Sequence, residues 1–572
     1  MLDKTLENKL IDILLDSAKQ YIQKDFSEII FPENIEIFLQ NTKNKSNGDI
    51  SSNIAMKLTS IVKKNPVEIS ESIINILQQN IKSSNIDLIE KIDSKNGFIN
   101  FCISNKYFYK ELINIFQQKD NFGKSNIGKN QKVNIEFVSA NPTGPLTIAH
   151  GRQAAIGDTL SRILKFAGYN VTNEYYLNDC GRQIKLLGKS LAIRYYNLCG
   201  NNKPMIEDGY IGDYIIDIAK DLKDKKGEGL ITEEIIEKSY IDFPEEITFF
   251  CKYSVDYILE LIKKDLEDFG VNFDIWTSQK NIEENNEVEN ILNILNKKGY
   301  IYKKEEATWF ASTKFNDDKD RVVIKSNGSK TYLAPDIAYH NHKYNRGYEK
   351  IIDILGPDHH GYINRMKAAI QALGYNKDSL DILIIQLVTL IDKGKVVSMS
   401  TRKGEFITLR ELIDELGKDV TRFFFLSRRL DSHLDFDIEL AKKQSADNPV
   451  FYIQYAHARI CSIKRKSDIS ISNVSLNEIN LELLDKKEEK NLICKLLEFP
   501  LSIESSAIYL EPNKLVTYLT ELSKLFHSFY NEYKVITEDI ELTKSRLFLV
   551  ECIKIVLING LKLLNIDFPE EM

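Results

Sequence analysis

The sequence lacks any cysteine pattern that would indicate a disulfide framework or a zinc site. Its seven cysteines stand singly along the chain. None belongs to a Cys-x-x-Cys pair, and the cysteines and histidines do not combine into a full set of ligands with zinc spacing. We therefore expect reduced thiols and predict no metal bound by the protein itself.

Long hydrophobic runs are also missing. The longest uncharged apolar stretch, residues 382–391, has about half of the roughly 20 residues that a membrane-spanning helix needs. The first nine residues include acidic side chains and lack the apolar core of a secretory or transit peptide. We expect a cytoplasmic protein with no membrane partner.

The chain has no excess of positive charge. Its 76 Lys and Arg residues are outnumbered by 83 Asp and Glu residues, which gives a net charge of −7. This balance argues against a protein that coats nucleic acid through bulk charge, so any RNA partner must be held by local basic patches. With 572 residues and 43% hydrophobic content, the chain predicts roughly three to five globular units.

The most informative segment that is present joins a strand, a turn and a helix. The β-rich residues 135–138 lead into Asn141-Pro-Thr-Gly-Pro145, which can continue neither a helix nor a sheet, and an apolar period of 3.6 residues resumes at Ala154. The turn brings His150 to a helix N-terminus, where free N–H groups and the positive dipole end favour phosphate. An imidazole there can donate to a phosphate with developing charge. The segment predicts a nucleotide site at the edge of an α/β sheet.

Residues 132–440 are predicted to form a doubly wound parallel sheet, because short apolar runs alternate there with helical stretches. The strands are expected at 133–138, 171–176, 351–355 and 383–388. The charge-rich stretch at about 190–325 interrupts this alternation and is interpreted as an insertion between two halves.

The two ends of the chain predict separate units. Residues 1–122 indicate an α+β module, with an early amphipathic helix, a second helix opened by the turn at Gly48 and Asp49, and a strand reached through a turn at Asn96 and Gly97. Residues 123–131 form a polar linker. Residues 441–572 show no strand pattern, so we expect an all-helical domain there.

Six segments, in order along nearly the whole chain, resemble the arginyl-tRNA synthetases, a family of class I aminoacyl-tRNA synthetases. Residues 140–150 are similar to the HIGH region of that family, and residues 175–183 to its second strand and following turn. Residues 331–340 and 356–363 resemble its substrate pocket. Residues 397–404 stand where the KMSKS loop is expected, and residues 448–459 resemble the start of its anticodon-binding domain.

The resemblance implies a Rossmann-like class I catalytic domain, an N-terminal tRNA-binding module and a C-terminal helical anticodon-binding domain. It implies an arginine–tRNA ligase that uses ATP and Mg²⁺ to form arginyl-adenylate and transfers the arginyl group to the 3′-terminal adenosine of tRNA. We expect a monomer. A pocket that pairs with guanidinium leaves its acceptors unsatisfied with other amino acids, so an editing domain is not expected in the insertion.

The resemblance also implies roles for individual residues. Arginine is expected to contact Glu136, Ser139, Asn141, Tyr332, Asp336 and His359. ATP is expected to contact Pro142, Thr143, Gly144, Thr147, His150, Gly151, Met399 and Ser400. His150, Arg402 and Lys403 are expected to assist catalysis, and Tyr452, Tyr455 and Arg459 to contact tRNA. A planar guanidinium with five donors suits a fixed carboxylate and a flat aromatic ring, which favours Asp336 and Tyr332 for the side-chain end.

Several alternatives remain open at this level. Ser398 and Thr401 replace both lysines of the KMSKS loop, and the HIGH region is altered as well, so a non-catalytic relative that binds tRNA is one alternative. The triplet Asp358-His-His360 is also typical of metal-dependent phosphoesterases, although we find no upstream Asp-x-Asp that could serve as its companion. The cation near the pyrophosphate could be Lys395 instead of Arg402 or Lys403. The aromatic stripe at 452–459 could pack in the core instead of facing RNA.

Overall fold

The N-terminal part of the computed structural model is a small module of four helices and an antiparallel sheet. The structure describes residues 4–32, 35, 37–42, 48–84, 89–241, 244–396 and 407–572. The helices of the module are α1 (Lys4–Asp25), α2 (Ile54–Val62), α3 (Pro66–Ser83) and α4 (Asn105–Gln118). Its strands are β1 (Leu39–Asn41), β2 (Ile50–Ser52), β3 (Ile89–Lys95) and β4 (Phe98–Ile103), in the order β1-β2-β4-β3.

Two expectations for this module have different outcomes. The turn at Asn96 and Gly97 is confirmed, because both residues have positive φ, 54° and 80°, and connect β3 to β4. The expectation that the Gly48 turn opens a helix directly is wrong. Residues of β2 follow it first and pair with β4, with Ile50 opposite Phe101, and α2 begins only at Ile54.

A parallel sheet of five strands lies at the centre of the chain. The strands of the central region are β5 (Lys132–Glu136), β6 (Asn170–Leu177), β7 (Ile275–Ser278), β8 (Ile301–Lys304), β9 (Ala307–Phe310), β10 (Arg321–Ile324), β11 (Lys350–Leu355), β12 (Leu380–Ile384), β13 (Val388–Asp392), β14 (Lys395–Val396) and β15 (Leu434–Asp437). The parallel sheet has the order β12-β11-β5-β6-β7, so β5 is its middle strand. Two smaller sheets have the orders β10-β9-β8 and β14-β13-β15.

Helices surround these sheets. They are α5 (Ile148–Phe166), α6 (Arg182–Leu198), α7 (Asp213–Lys226), α8 (Glu233–Ile241), α9 (Glu245–Asp268), α10 (Gln279–Glu284), α11 (Glu287–Lys297), α12 (Leu333–Asn345), α13 (Tyr362–Leu373), α14 (Leu409–Leu416), α15 (Lys418–Leu426) and α16 (Ile438–Lys442). The parallel α/β fold class is confirmed by this arrangement.

The predicted strand at 383–388 is wrong in its bounds. β12 ends at Ile384, and Val388 begins β13, which pairs with β15 in a different sheet. The apolar run is continuous from β12 into β13, so its composition does not indicate where one strand ends and the other begins. The expected insertion at 190–325 also differs from the structure, because β7 lies within it and forms an edge of the parallel sheet.

Helix α5, which follows the nucleotide turn, is buried along nearly its whole length. A Cβ atom on Gly157 would lie 2.2 Å from the ring of Phe137, so only glycine allows this close approach to the end of β5. Arg152 is fully buried and donates to the carbonyl oxygens of Gln386, Arg429 and Ser432 at 2.8, 2.9 and 3.1 Å. These bonds tie α5 to the connections before β13 and β15.

The C-terminal region is helical throughout the part that the structure describes. Its helices are α17 (Pro449–Lys466), α18 (Lys487–Leu496), α19 (Phe499–Tyr509), α20 (Asn513–Glu532) and α21 (Ile540–Leu564). The expectation of an all-helical C-terminal region is therefore confirmed. None of the helices described here combines the length and apolar character needed to cross a bilayer.

Candidate active site

A cavity of about 360 Å³ opens at the carboxyl ends of β5, β6 and β11. Ligands bind at this edge in open α/β sheets, where the chain leaves the strands in loops. Six of the predicted site residues line it together, namely Glu136, Ser139, Asn141, His150, Asp336 and His359. The structure thus brings residues from three separate sequence segments to one place.

The loop that leaves β5 has a strained backbone. Val138 and Ser139 have φ values of 66° and 39°, in a region that residues other than glycine rarely adopt, and least of all β-branched ones. The turn carries Ser139 back over the end of the strand, where its hydroxyl donates to Oε1 of Glu136 at 3.0 Å. The Oγ atom of Ser139 also accepts the backbone N–H of Tyr176 at 3.0 Å, which joins the loop to β6.

Glu136 is part of a buried network of charges. Its Oε2 atom lies 2.5 Å from Nζ of Lys343, which also donates to Oδ1 of Asp353 at 2.9 Å. Nε2 of His340 lies 2.7 Å from the other oxygen of Asp353, and Nδ1 of His340 lies 2.8 Å from the carbonyl oxygen of Asp336. The network joins Glu136 to the backbone of Asp336, because His340 contacts the carbonyl oxygen of Asp336 and not its carboxylate.

The protonation states of these side chains follow from their pairing with one another. Burial alone lowers the pKa of the Lys343 ammonium, but the carboxylates of Asp353 and Glu136 outweigh it and raise that pKa. Burial raises the pKa of Asp353, but Lys343 and His340 together hold it well below its usual range. Burial lowers the pKa of His340, and the paired carboxylate of Asp353 raises it on balance. Lys343 is therefore charged, and Asp353 is its ionised partner.

Asp336 lies in the first turn of α12 and faces the cavity. Burial raises its pKa to about 7, Glu136 adds to this effect, and hydrogen bonding from the Tyr362 side chain opposes it. A guanidinium group can compensate such a carboxylate, because it supplies both positive charge and paired donors.

Tyr332 is not brought into the cavity. It precedes α12, is 83% exposed, and contacts Asp336 only through the backbone, where its carbonyl accepts the Asp336 N–H at 3.3 Å. The cavity is instead lined by the rings of Tyr176, Tyr339 and Tyr362. Tyr176 and Tyr339 stack with 4.2 Å between ring centroids.

Tyr176 and Tyr339 lie in segments that resemble the family, but no role for either residue was predicted from the sequence. The sequence shows that both side chains are aromatic, but an aromatic side chain can line a pocket or pack in a core. Lys343 lies outside the quoted segments, and its pairing with Glu136 depends on the assembled sheet.

His150 lies in the first turn of α5 and lines the cavity. Its Nδ1 atom accepts the backbone N–H of Thr147 at 3.1 Å, so the neutral ring carries its proton on Nε2. Burial lowers the pKa of His150 to about 4. The ring is therefore a neutral hydrogen-bond donor at physiological pH.

Five further residues that are expected to bind ATP lie in the loop before α5 or at the start of this helix. Pro142, Thr143 and Gly144 form the turn, and Thr147 caps the helix. Gly151 has a packing role, because a Cβ atom there would lie 2.7 Å from a methyl group of Leu409. None of these five residues lines the cavity that holds Asp336.

Met399, Ser400, Arg402 and Lys403 lie outside the described residues, and so do Ser398 and Thr401. The chain on either side is described. Lys395 lies on β14 and is exposed, and Thr408 forms an isolated antiparallel bridge with Thr147. The N–H of Leu409 donates to the carbonyl of Leu146 at 2.8 Å. The segment after the basic loop thus contacts the helix start that carries His150.

The aromatic stripe on α17 makes contacts within the protein. The guanidinium carbon of Arg459 lies 4.5 Å from the ring centroid of Tyr455 and 4.7 Å from that of Tyr530. The ring of Tyr452 packs on His527 with 4.4 Å between centroids. Tyr455 nevertheless remains 36% exposed. Part of the stripe is therefore packing, and Tyr455 keeps a free edge.

The histidines of the Asp358-His-His360 triplet are exposed at the end of β11. Within the described ranges, no group of three or more His, Cys, Asp or Glu side chains is arranged to hold a metal ion. The ring of His359 contacts the ring of Tyr362 edge-on, with 5.9 Å between centroids, and both residues line the cavity.

Three family models match the chain in succession. The arginyl-tRNA synthetase N-terminal domain matches residues 16–103, and the catalytic domain of class I tRNA synthetases (R) matches residues 111–425. The DALR anticodon-binding domain matches residues 453–572.

Curated relatives and a solved structure agree with these models. The arginine–tRNA ligase of Anoxybacillus flavithermus is 42% identical over 569 residues, which covers 98% of this chain and 100% of that protein. The arginine–tRNA ligase of Syntrophotalea carbinolica is 44% identical and covers 94% of this chain and 95% of its own length. The Thermus thermophilus arginyl-tRNA synthetase structure covers 100% of both chains with a TM-score of 0.72 at 20% identity, which shows a common fold.

Proposed function

The chain belongs to the arginyl-tRNA synthetase family and ligates arginine to tRNA, and from this premise we propose how its site performs that reaction. The observation that carries the proposal is the single cavity in which Glu136, Asp336 and His150 meet. Arginine and ATP react there to give arginyl-adenylate and pyrophosphate. A hydroxyl of the 3′-terminal adenosine of tRNA then takes the arginyl group, and AMP leaves.

Asp336 receives the guanidinium group of arginine. The low exposure of the site strengthens this pairing, and a substrate without the planar donors leaves the carboxylate uncompensated. The rings of Tyr176 and Tyr339 supply the flat aromatic surface that the sequence analysis assigned to Tyr332, since they line the cavity and Tyr332 does not.

Glu136, Ser139, Asn141 and His359 surround the amino and carboxyl end of the substrate. Glu136 is held by Lys343 and Ser139, and each of its oxygens keeps a lone pair for the α-ammonium group. Asn141 is fixed by donating to Oε1 of Gln183 at 2.8 Å, which orients its amide at the cavity rim.

ATP lies along the turn at 142–144 and the start of α5, and enters as its magnesium complex. The Nε2 proton of His150 is directed to the α-phosphate, where negative charge grows as the arginine carboxylate attacks. The helix N-terminus adds backbone donors and its dipole. No protein nucleophile takes part, so the rate comes from positioning and charge stabilisation.

Several finer assignments stay predictions. The basic residues Arg402 and Lys403 are assigned to the pyrophosphate, and Met399 and Ser400 to the nucleotide. Tyr452, Tyr455 and Arg459 are assigned to the anticodon side of tRNA. A monomeric, cytoplasmic enzyme remains our expectation.

Arginine-dependent exchange of pyrophosphate with ATP tests the proposal. We expect exchange when tRNA is present and little without it, because both loop lysines are replaced in the sequence. A chain that binds tRNA but shows no exchange in either condition is the non-catalytic relative. Metal-dependent hydrolysis of phosphoesters without exchange would instead support the alternative based on Asp358-His-His360.

A further inference from the structure

The loop between β5 and α5 is held in place by side chains from elements outside it. The hydroxyl of Tyr175 on β6 donates to the carbonyl of Ala140 at 2.8 Å. The side chain of Asn141 is bonded to Gln183 on α6. These two contacts fix the first part of the loop, next to the arginine cavity.

The apex of the loop is held by a residue of the region that the sequence analysis interpreted as an insertion. The hydroxyl of Tyr214, on α7, donates to the carbonyl of Thr143 at 2.7 Å. A Cβ atom on Gly144 would lie 3.4 Å from the Cζ atom of Tyr214, so the loop lies directly against the end of this ring. Tyr210 also forms a hydrogen bond with the Thr143 side chain.

The position of Tyr214 is fixed by the packing of α7. One face of this helix is buried and consists of Ile215, Ile218, Ala219 and Leu222. On a different part of the helix, the hydroxyl of Tyr253 on α9 donates to Oδ2 of Asp221 at 2.6 Å. Burial raises the pKa of Tyr214, so its hydroxyl keeps its proton and remains a donor across the physiological range.

We propose that Tyr214 is a positioning residue for ATP. Its hydrogen bond fixes the backbone of Thr143 and Gly144, at the apex of the loop, in the position that the phosphates of ATP require. The inference rests on the proposed placement of ATP at this loop. Tyr214 does not line the arginine cavity, whose loop residues are held by Tyr175 and Gln183 instead. Loss of its hydroxyl therefore changes the use of ATP and leaves arginine binding nearly unchanged. This gives the α7 region a part in amino acid activation.

The test is Tyr214→Phe, which removes the hydroxyl and keeps the ring against Gly144. We expect the KM for ATP in pyrophosphate exchange to rise by about fivefold to thirtyfold, as for loss of one positioning hydrogen bond. The KM for arginine should stay within about twofold. Tyr253→Phe is the matched control, because it removes a hydroxyl bonded to the same helix α7 without touching the loop.

Equal effects of the two substitutions would show that α7 is merely loosened, and would overturn the inference. An unchanged KM for ATP in Tyr214→Phe, or an equal rise for arginine, would overturn it as well. Absence of exchange in the wild-type protein would count against the proposed function instead. Calorimetric binding of a non-hydrolysable ATP analogue to both variants would still decide the role of Tyr214.

Discussion

The ammonium group of Lys343 lies 2.5 Å from a carboxylate oxygen of Glu136, and neither side chain is appreciably exposed. Lys343 also neutralises Asp353, so one cation serves two carboxylates. Glu136 is therefore held in a fixed orientation, with part of its charge already balanced. Removal of the lysine would leave buried carboxylates without their partner, which costs more than the pair itself contributes.

Lys343→Met should reduce the free energy of unfolding by about 3–5 kcal/mol, the range for breaking a buried ion pair. Urea denaturation followed by circular dichroism measures it. The control is Lys350→Met. The ammonium group of Lys350 lies 2.7 Å from a carboxylate oxygen of Asp381, and both side chains are partly exposed, so this substitution should lower the free energy of unfolding by less than about 1 kcal/mol. Comparable losses in the two variants would mean that the network around Lys343 is not special.

Arginine binding should depend on pH because of Asp336. The free carboxyl group has its pKa raised to about 7 by burial, and a guanidinium pairs well only with the ionised form. Binding must then displace a proton below pH 7 but not above it, so the KM for arginine should fall as pH rises from 6 to 8. The slope should approach about tenfold per pH unit well below pH 7.

Asp336→Asn checks the origin of that dependence. It should remove the pH effect and weaken arginine binding by about 2–4 kcal/mol, because a charged acceptor is lost from a buried site. The KM for ATP should change little. A pH profile that persists in this variant would assign the titration to another group.

His150→Ala should slow adenylate formation by roughly 10²–10³-fold, as expected for loss of one donor to a transition-state charge. Single-turnover formation of arginyl-adenylate measures this rate. The loss should be the same from pH 5.5 to 8, since the pKa of about 4 keeps the ring neutral throughout. His150→Gln retains an N–H donor and should recover part of the rate. An alanine variant as fast as the wild type would place the chemistry elsewhere.

Tyr455→Ala separates the two interpretations of the stripe on α17. If its exposed edge stacks on RNA, the KM for tRNA should rise by an amount corresponding to about 1–3 kcal/mol, with a small change in melting temperature. Tyr518→Ala is the control, because Tyr518 is buried in the same helical region and its loss leaves a cavity costing about 3–5 kcal/mol. If Tyr455→Ala lowered the melting temperature as much as this control and left tRNA binding intact, the stripe would be packing alone.

Much of the fold could be predicted because local patterns agree with it. The strand predicted at 133–138, the Pro/Gly turn and the helical period from Ala154 are each encoded in neighbouring residues. They correspond to β5, the loop and α5, but β5 ends at Glu136 and α5 already begins at Ile148. Strand β7 was missed because its four residues lie between charged helices and pair with β6 only in the folded sheet. The end of β12 was missed for a similar reason, since an apolar run does not record which sheet its residues join.

The candidate site divides in the same way. Glu136, Asp336 and His150 could be selected because a carboxylate or an imidazole stood next to a recognisable turn or segment. Lys343 could not, because a lone lysine in a helix predicts a surface residue and only tertiary contacts bury it. Tyr332 was favoured over Tyr176 and Tyr339 by the resemblance to the family, which does not specify which way a ring points in this chain.

Arg152 has a consequence for the response of the enzyme to ionic strength. It lies two residues after His150, is fully buried, and within the described chain its hydrogen bonds go to carbonyl oxygens alone. Burial lowers its pKa to about 10, which still leaves it a cation at neutral pH. Mobile ions screen such a charge poorly, whereas contacts between surface cations and tRNA weaken steeply with added salt. Added salt should therefore weaken the binding of tRNA well before it loosens the bonds that hold α5 to the connections before β13 and β15.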